Sequence, residues 1–242
     1  RQPTALARAP APALAGITLT IPAGSTVAIV GHTGSGKTSL LNLVGRLYDP
    51  TAGRVLLDGM DLREFDPADL RRLIGYVPQE TFLFSATLAE NIALGAPNAS
   101  REEIHRSAEL AGLGPDLATF PDGLDTRVGE RGLTLSGGQK QRTAIARAIL
   151  RNPTVLVLDD ALSSVDTITE ERILRALADM MKERTTILVS HRVSTIRHAD
   201  RIFVLEHGRL AEEGTHDKLL AVDGYYADLY RKQLLEEELE TI

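Results

Sequence analysis

Residues 31–38 read Gly31-His32-Thr33-Gly34-Ser35-Gly36-Lys37-Thr38 and fit the pattern G-x-x-x-x-G-K-[ST], with Ser39 directly after. Glycines at these spacings let the backbone curl so that its N–H groups point inward, at phosphate oxygens. Lys37 then reaches the β- and γ-phosphates of a nucleotide, and the Thr38 hydroxyl ligates magnesium. A helix opening at Lys37 adds the positive end of its dipole to the same site. Far along the chain, Val155-Leu156-Val157-Leu158 is a buried-strand run that ends in Asp159. A carboxylate at the carboxyl edge of a parallel sheet stands where ligands bind, so Asp159 is a second candidate for the metal.

Leu135-Ser136-Gly137-Gly138-Gln139 is the most specific segment. Ser136 and Gln139 are spaced as a capping box, opening a helix that runs through Lys140–Leu150. Gly137 and Gly138 carry no side chain to cover the first-turn N–H groups, which makes this helix end an anion site. A chain folding around one nucleotide has no use for two such ends. The second is therefore expected to meet a nucleotide held by another copy or partner.

Positioning these groups takes strands that alternate with helices. Ile17–Ile21 and Thr26–Val30 read as strands split by the turn Pro22-Ala23-Gly24-Ser25, Lys37–Leu47 as a helix, and Arg54–Leu57 and Ile74–Val77 as further strands. A mostly helical stretch spans Thr87–Leu150, with a capping box at Ser100-Arg101-Glu102-Glu103. Strand Val155–Leu158, helix Ile168–Lys182, strands Thr186–Val189 and Ile202–Leu205, and an acidic helix Tyr225–Leu239 complete the chain. The pattern predicts an α/β fold with a parallel sheet and a helical insertion.

Composition excludes several alternatives. A net charge of -6 argues against nucleic acid as the main partner. With no cysteine there is no disulfide, thiolate zinc site or cysteine nucleophile. Residues 9–36 lack charge, but Pro10, Pro12 and Pro22 prevent a membrane-spanning helix. The chain opens at Arg1, with an Ala/Pro-rich stretch over residues 1–13 that reads as a linker or cut edge, and looks like part of something longer.

On these motifs the chain resembles the ATP-binding cassette family, and within it the nucleotide-binding domains of exporters, from about Leu14 to Gln233. The resemblance makes Gly31–Ser39 an ATP site and Leu135–Gln139 the signature that completes a partner's site. It makes Gln79, in Tyr76-Val77-Pro78-Gln79-Glu80, the Q-loop residue that touches magnesium and the attacking water. Thr126-Arg127-Val128-Gly129-Glu130-Arg131-Gly132 resembles the exporter X-loop, and Ser163-Ser164-Val165-Asp166 the D-loop. Val189-Ser190-His191-Arg192 resembles the switch, with His191 on the γ-phosphate. The resemblance implies a P-loop core with an antiparallel β edge, a helical subdomain over about residues 85–152 and a C-terminal helix over about 224–240. It also implies two such domains closing on two Mg-ATP at the cytoplasmic face of a membrane, and a transmembrane domain upstream, reached through Phe82–Phe84. The C-terminal helix, with Tyr225, Tyr226, Leu229, Leu234 and Leu235, packs on its own domain or on a partner. A soluble cassette ATPase without a transport partner is the alternative function.

Two positions depart from the family pattern. Asp160 stands where the family has the glutamate that polarises water, and one missing methylene retracts the carboxylate by about 1.5 Å. This resembles the slow, degenerate site of heterodimeric exporters; a homodimer with two slow sites is the competing expectation. Around Thr4–Arg8, where the family places an aromatic residue for adenine, there is none. Base recognition is left to apolar and cationic contacts, or to a segment that has been cut away.

Overall fold

The computed structural model describes residues 11–129 and 133–240. Its centre is a six-stranded sheet in the order β4 (Ile74–Val77), β5 (Val155–Asp159), β6 (Thr185–Val189), β1 (Thr26–Val30), β7 (Arg201–Glu206), β8 (Arg209–Gly214). All pairings are parallel except β7 with β8. The central strands are mostly apolar because both faces are covered, and alternation sorts their side chains between two cores. Val27, Ile29, Val155, Val157, Ile187 and Phe203 face α1 (Lys37–Val44) and α2 (Pro67–Leu73). Ala28, Val30, Leu156, Leu158 and Val204 face the opposite core, which α7 (Thr167–Lys182) shares through Ile173 and Leu177.

Between the neighbouring strands β4 and β5 the chain makes a helical excursion: α3 (Leu88–Ala93), α4 (Arg101–Leu110), α5 (Gly114–Leu117) and α6 (Gly137–Leu150). Capping boxes Thr87/Glu90, Ser100/Glu103 and Ser136/Gln139 start α3, α4 and α6. Leu88, Ile92, Ile104, Leu113 and Ile145 fill the space among these helices and join the second core. After β6 come α8 (Val193–Ile196), the β7–β8 hairpin, α9 (His216–Val222) and α10 (Tyr225–Glu240). No helix among the described residues is long and apolar enough to cross a membrane.

Several sequence expectations need correction. Ile17–Ile21 forms no ladder, although Ile17, Leu19 and Ile21 do pack on the first core. Alternation fixed which side chains turn inward, whereas a strand also needs a neighbour. The expected strand Arg54–Leu57 shrinks to β2 (Leu56–Leu57), which turns at Asp58-Gly59 into β3 (Met60–Asp61). Both turn residues have positive φ, 50° and 84°, the geometry that suits a right-twisted hairpin. Helix α1 stops at Val44 rather than Leu47, with Gly45 as its cap. Residues 209–214 are not read as a strand from their pattern, yet form the antiparallel edge β8; its sequence RLAEEG is polar because it is an edge with one exposed face.

Ile173 is fully buried on α7 and its Cγ1 would lie 2.9 Å from a Cβ at Gly112, so it joins α7 to the helical excursion. Ile173→Ala is expected to lower unfolding free energy by about 2–5 kcal/mol, read from the denaturant midpoint.

Candidate functional site

Strands β1, β5 and β6 end level with one another. Asp159 is the last residue of β5 and pairs with Val189, which also pairs with Ile29 of β1. The loops after all three strands therefore leave the sheet at one edge and enclose a cleft of about 220 Å³. Thr33, Gly34, Gly36, Lys37, Thr38, Ser39, Gln79, Asp159, Asp160 and His191 line it, with Ala13 and Val189. Of the phosphate-loop candidates, Gly31, His32 and Ser35 do not face the cleft. Gly31 and His32 instead offer carbonyls to Lys37 Nζ, at 2.7 and 3.0 Å, and the ring of His32 meets the edge of Tyr225 at 4.5 Å. Ser35 is buried, and its carbonyl accepts a hydrogen bond from Gly208 N–H at 3.0 Å.

Gly36 makes a specific conformational demand at the helix start. It caps α1 at φ 106°, and a Cβ there would stand 2.6 Å from Leu14 Cδ2. No side chain caps this helix end, so its N–H groups open toward the cleft. The Lys37 ammonium has three donors, and the two loop carbonyls leave one for another acceptor. Burial holds the Lys37 pKa below its ordinary value, against the pull of Asp160 and Asp159. Burial raises that of Asp159, partly offset by hydrogen bonds from Thr38 and Tyr76. Two carboxylates and one ammonium leave an unbalanced negative charge in the cleft. One carboxylate, a hydroxyl and the Gln79 amide form an all-oxygen donor set that suits magnesium, a hard cation that keeps water and phosphate as its other ligands.

Asp160 adopts a left-handed backbone conformation, φ 50°, and its N–H donates to Val189 O at 3.0 Å. His191 Nε2 lies 3.8 Å from its Oδ2. Tyr76 on β4 reaches Asp159 at 3.3 Å and Asn42 at 3.4 Å; burial and the adjacent carboxylate keep it protonated. Sequence reasoning passed over Tyr76 because a tyrosine in a strand needs no special explanation.

None of Leu135–Gln139 lines the cleft. Ser136 Oγ accepts from Gln139 N–H at 3.2 Å, and Gln139 Oε1 from Ser136 N–H at 2.9 Å, so the expected capping box is present. The glycines do more than leave an anion site open. Gly138 is buried, and a Cβ on it would lie 3.0 Å from the Ser164 carbonyl; one on Gly137 would lie 3.2 Å from Ser164 Cβ. Gly138 is thus covered by its own chain, and Ser136 and Gly137 form the exposed rim. Gln141, which the sequence did not single out, ties the same two segments together. It accepts from Ser164 N–H at 2.9 Å and donates to Ser163 Oγ at 2.9 Å and to Asp160 O at 3.4 Å. Its signal is a buried amide on the otherwise apolar stripe with Ala144, Ile145 and Ala148. Val165 is buried, and Asp166 caps α7 by accepting from Thr169 N–H at 2.9 Å.

Thr126–Gly129 pairs with the chain after Phe84: Leu88 N–H donates to Thr126 O at 3.0 Å and Val128 N–H to Ala86 O at 2.9 Å, and Arg127 bridges to Thr87. Glu130, Arg131 and Gly132 lie outside the described residues, as does the Thr4–Arg8 window. Phe82 and Phe84 stack edge to face, 66% and 51% exposed. Buried Asn91 bonds both backbone groups of Phe84, and Arg147 of α6 holds Phe82 O at 3.2 Å and Asn91 O at 2.8 Å.

A phosphate loop on β1, a carboxylate ending β5 and helices on both sheet faces define a P-loop nucleotide-binding protein. Residues 14–163 match the ABC transporter family, and the chain belongs to it. It is 51% identical over 229 residues to an ATP-dependent lipid A-core flippase of Chromobacterium violaceum, covering 95% of this chain and 39% of that one. A putative multidrug export ATP-binding/permease protein of Bacillus subtilis is 48% identical, covering 90% and 38%. Among solved structures, a bacterial Atm1-family ABC exporter with ATP bound superposes with a TM-score of 0.88 at 47% identity, covering 91% of this chain and 39% of that one. The chain thus spans about two fifths of the length of these relatives and is a nucleotide-binding domain of the exporter type. The relatives named here favour this over the soluble alternative.

Replacing Gln141 with Leu strands the Ser164 N–H and removes the donor to Ser163 Oγ, while the Asp160 carbonyl keeps the Ser163 N–H at 3.2 Å. Gln141→Leu is expected to cost about 1–3 kcal/mol in denaturant unfolding and to slow nucleotide hydrolysis.

Proposed function

We propose that this chain binds Mg-ATP in the β1–β5–β6 cleft and hydrolyses it as one half of a head-to-tail pair, driving export across a membrane from its cytoplasmic face. The observation that carries this is a division of parts. Lys37, Thr38, Gln79, Asp159, Asp160 and His191 share one cleft, whereas the rim at Ser136 and Gly137 lies apart from it. A second domain whose own rim faces this cleft would complete the site, and a transmembrane domain would take its thrust at Phe82 and Phe84.

In this reading the α1 N-terminus and Lys37 hold the phosphates, and Thr38, Asp159 and Gln79 hold magnesium. When bound, magnesium neutralises charge on the β- and γ-phosphoryl oxygens. Asp160 accepts the proton of the attacking water, and His191 donates to the γ-phosphate. The aspartate's short reach makes this site the slower member of its pair, which supports a heterodimer whose other site the intact Leu135–Gln139 segment completes. Relatives' names range from lipid A-core to drugs, so no single cargo is assigned.

Lys37→Ala is expected to abolish binding of labelled ATP at equilibrium; unchanged affinity refutes the phosphate assignment. Asp160→Glu is expected to raise steady-state phosphate release about tenfold, which is about 1.4 kcal/mol of barrier. A small loss of stability should accompany it, because the longer side chain must hold the left-handed backbone that Asp tolerates better. A parental Asp160 protein already as fast as its Glu variant would sink the slow-site assignment.

A further inference from the structure

The switch loop joins β6 to α8, and its histidine side chain stands half exposed at the cleft. One side of the loop is held from within the core. Arg192 donates to Val165 O at 2.8 Å and pairs with the buried carboxylate of Glu170, and Arg192 N–H donates to Ser190 Oγ at 3.0 Å. The other side is held from the far end of the chain. Gln233 on α10 accepts from Val193 N–H at 2.7 Å, and its amide nitrogen donates to the His191 carbonyl. One neutral side chain thus brackets Arg192, taking an acceptor before it and a donor after it.

The position of Gln233 on its helix is informative. Tyr226, Leu229, Tyr230 and Gln233 follow the 3-1-3 spacing of one helix face. Tyr226 is fully buried and bonds His216 Nδ1 at 2.7 Å, while Tyr230 meets the His216 ring edge-on. Tyr225 N–H bonds the Glu212 carboxylate at 2.5 Å. With its start anchored this way, α10 carries Gln233 two turns on to the switch loop. Of the helically spaced set expected to pack on the domain or on a partner, Leu234 and Leu235 face solvent, at 40% and 61% exposed. The next inward place after the tyrosines is an amide, and only an amide of this length supplies both a donor and an acceptor. Glutamate lacks the donor, leucine lacks both, and asparagine is about 1.5 Å short.

We propose that Gln233 is a positioning residue for hydrolysis: by bracketing the backbone of His191 and Val193 it sets where the His191 imidazole stands against Asp160 and the γ-phosphate. The C-terminal helix is then part of the hydrolytic machinery of its own chain. This rests on the reading of His191 given above. Because a misplacement of about 1 Å can cost on the order of a hundredfold, a lost bracket should be felt in rate before it is felt in affinity.

The test is single-turnover hydrolysis, which reads slow sites, together with labelled-ATP binding, in the intact protein. Gln233→Leu should lower the hydrolysis rate about tenfold or more and leave ATP affinity within about twofold. In a cycle with His191→Ala, the double variant should be no slower than His191→Ala alone. Losses that multiply in the double variant, or an unchanged rate in Gln233→Leu, overturn the positioning role. If Gln233→Leu does not fold, Gln233→Glu keeps the length and the acceptor but sets a carboxylate against the His191 carbonyl. It should bind ATP and hydrolyse slowly; the parental rate would overturn the proposal. If His191→Ala itself hydrolyses normally, the site reading fails and the proposal goes with it.

Discussion

Parallel pairing of β1, β6 and β5 is the constraint from which the site follows. Ladder hydrogen bonds set Ile29, Val189 and Asp159 level, so the loops that follow the three strands start from one line. The strands themselves are mostly apolar, buried Thr186 of β6 aside, and the polar groups of the site stand past their ends. Asp159 is the exception, the last paired residue and a buried carboxylate. A slip of β5 by one residue would turn its side chain to the other sheet face, away from Thr38 and Tyr76. The burial that keeps the sheet in register is thus the same burial that raises the pKa of Asp159.

What could be read in the sequence was local. The phosphate loop and the capping boxes at Ser100 and Ser136 are satisfied by residues three to eight positions apart, so spacing alone reveals them. Ile17–Ile21 failed because its alternation is local but its ladder is not. Strand β8 was missed for the complementary reason: an edge strand with a wet face looks like a loop until Ile202–Glu206 is known to lie beside it. In α10, the spacing named Tyr225, Tyr226, Leu229, Leu234 and Leu235 together, and only the first three meet the core.

Gln141, Gln233 and Tyr76 share one cause of invisibility. Each is a single polar residue on an apolar face or in a buried strand, and its partner lies 34 or more positions away, except where Gln141 turns to residues 19–23 positions on. The two glutamines do the same work, satisfying both a donor and an acceptor in loops that no ladder reaches. An uncharged group can be placed this deep without the desolvation cost of an ion. The places where an apolar stripe carries an amide therefore mark where a loop has been fastened.

Helix α6 is fastened at both ends, and this has a mechanical consequence. Near its start, Gly138 and Gln141 hold the Ser163–Ser164 loop; near its end, Arg147 holds the backbone beneath the exposed Phe82–Phe84 pair. Fourteen residues at about 1.5 Å each make a rod of roughly 21 Å, with the interior stiffness of a close-packed core along one side. Through this one helix the backbone under Phe82 is connected to Ser164.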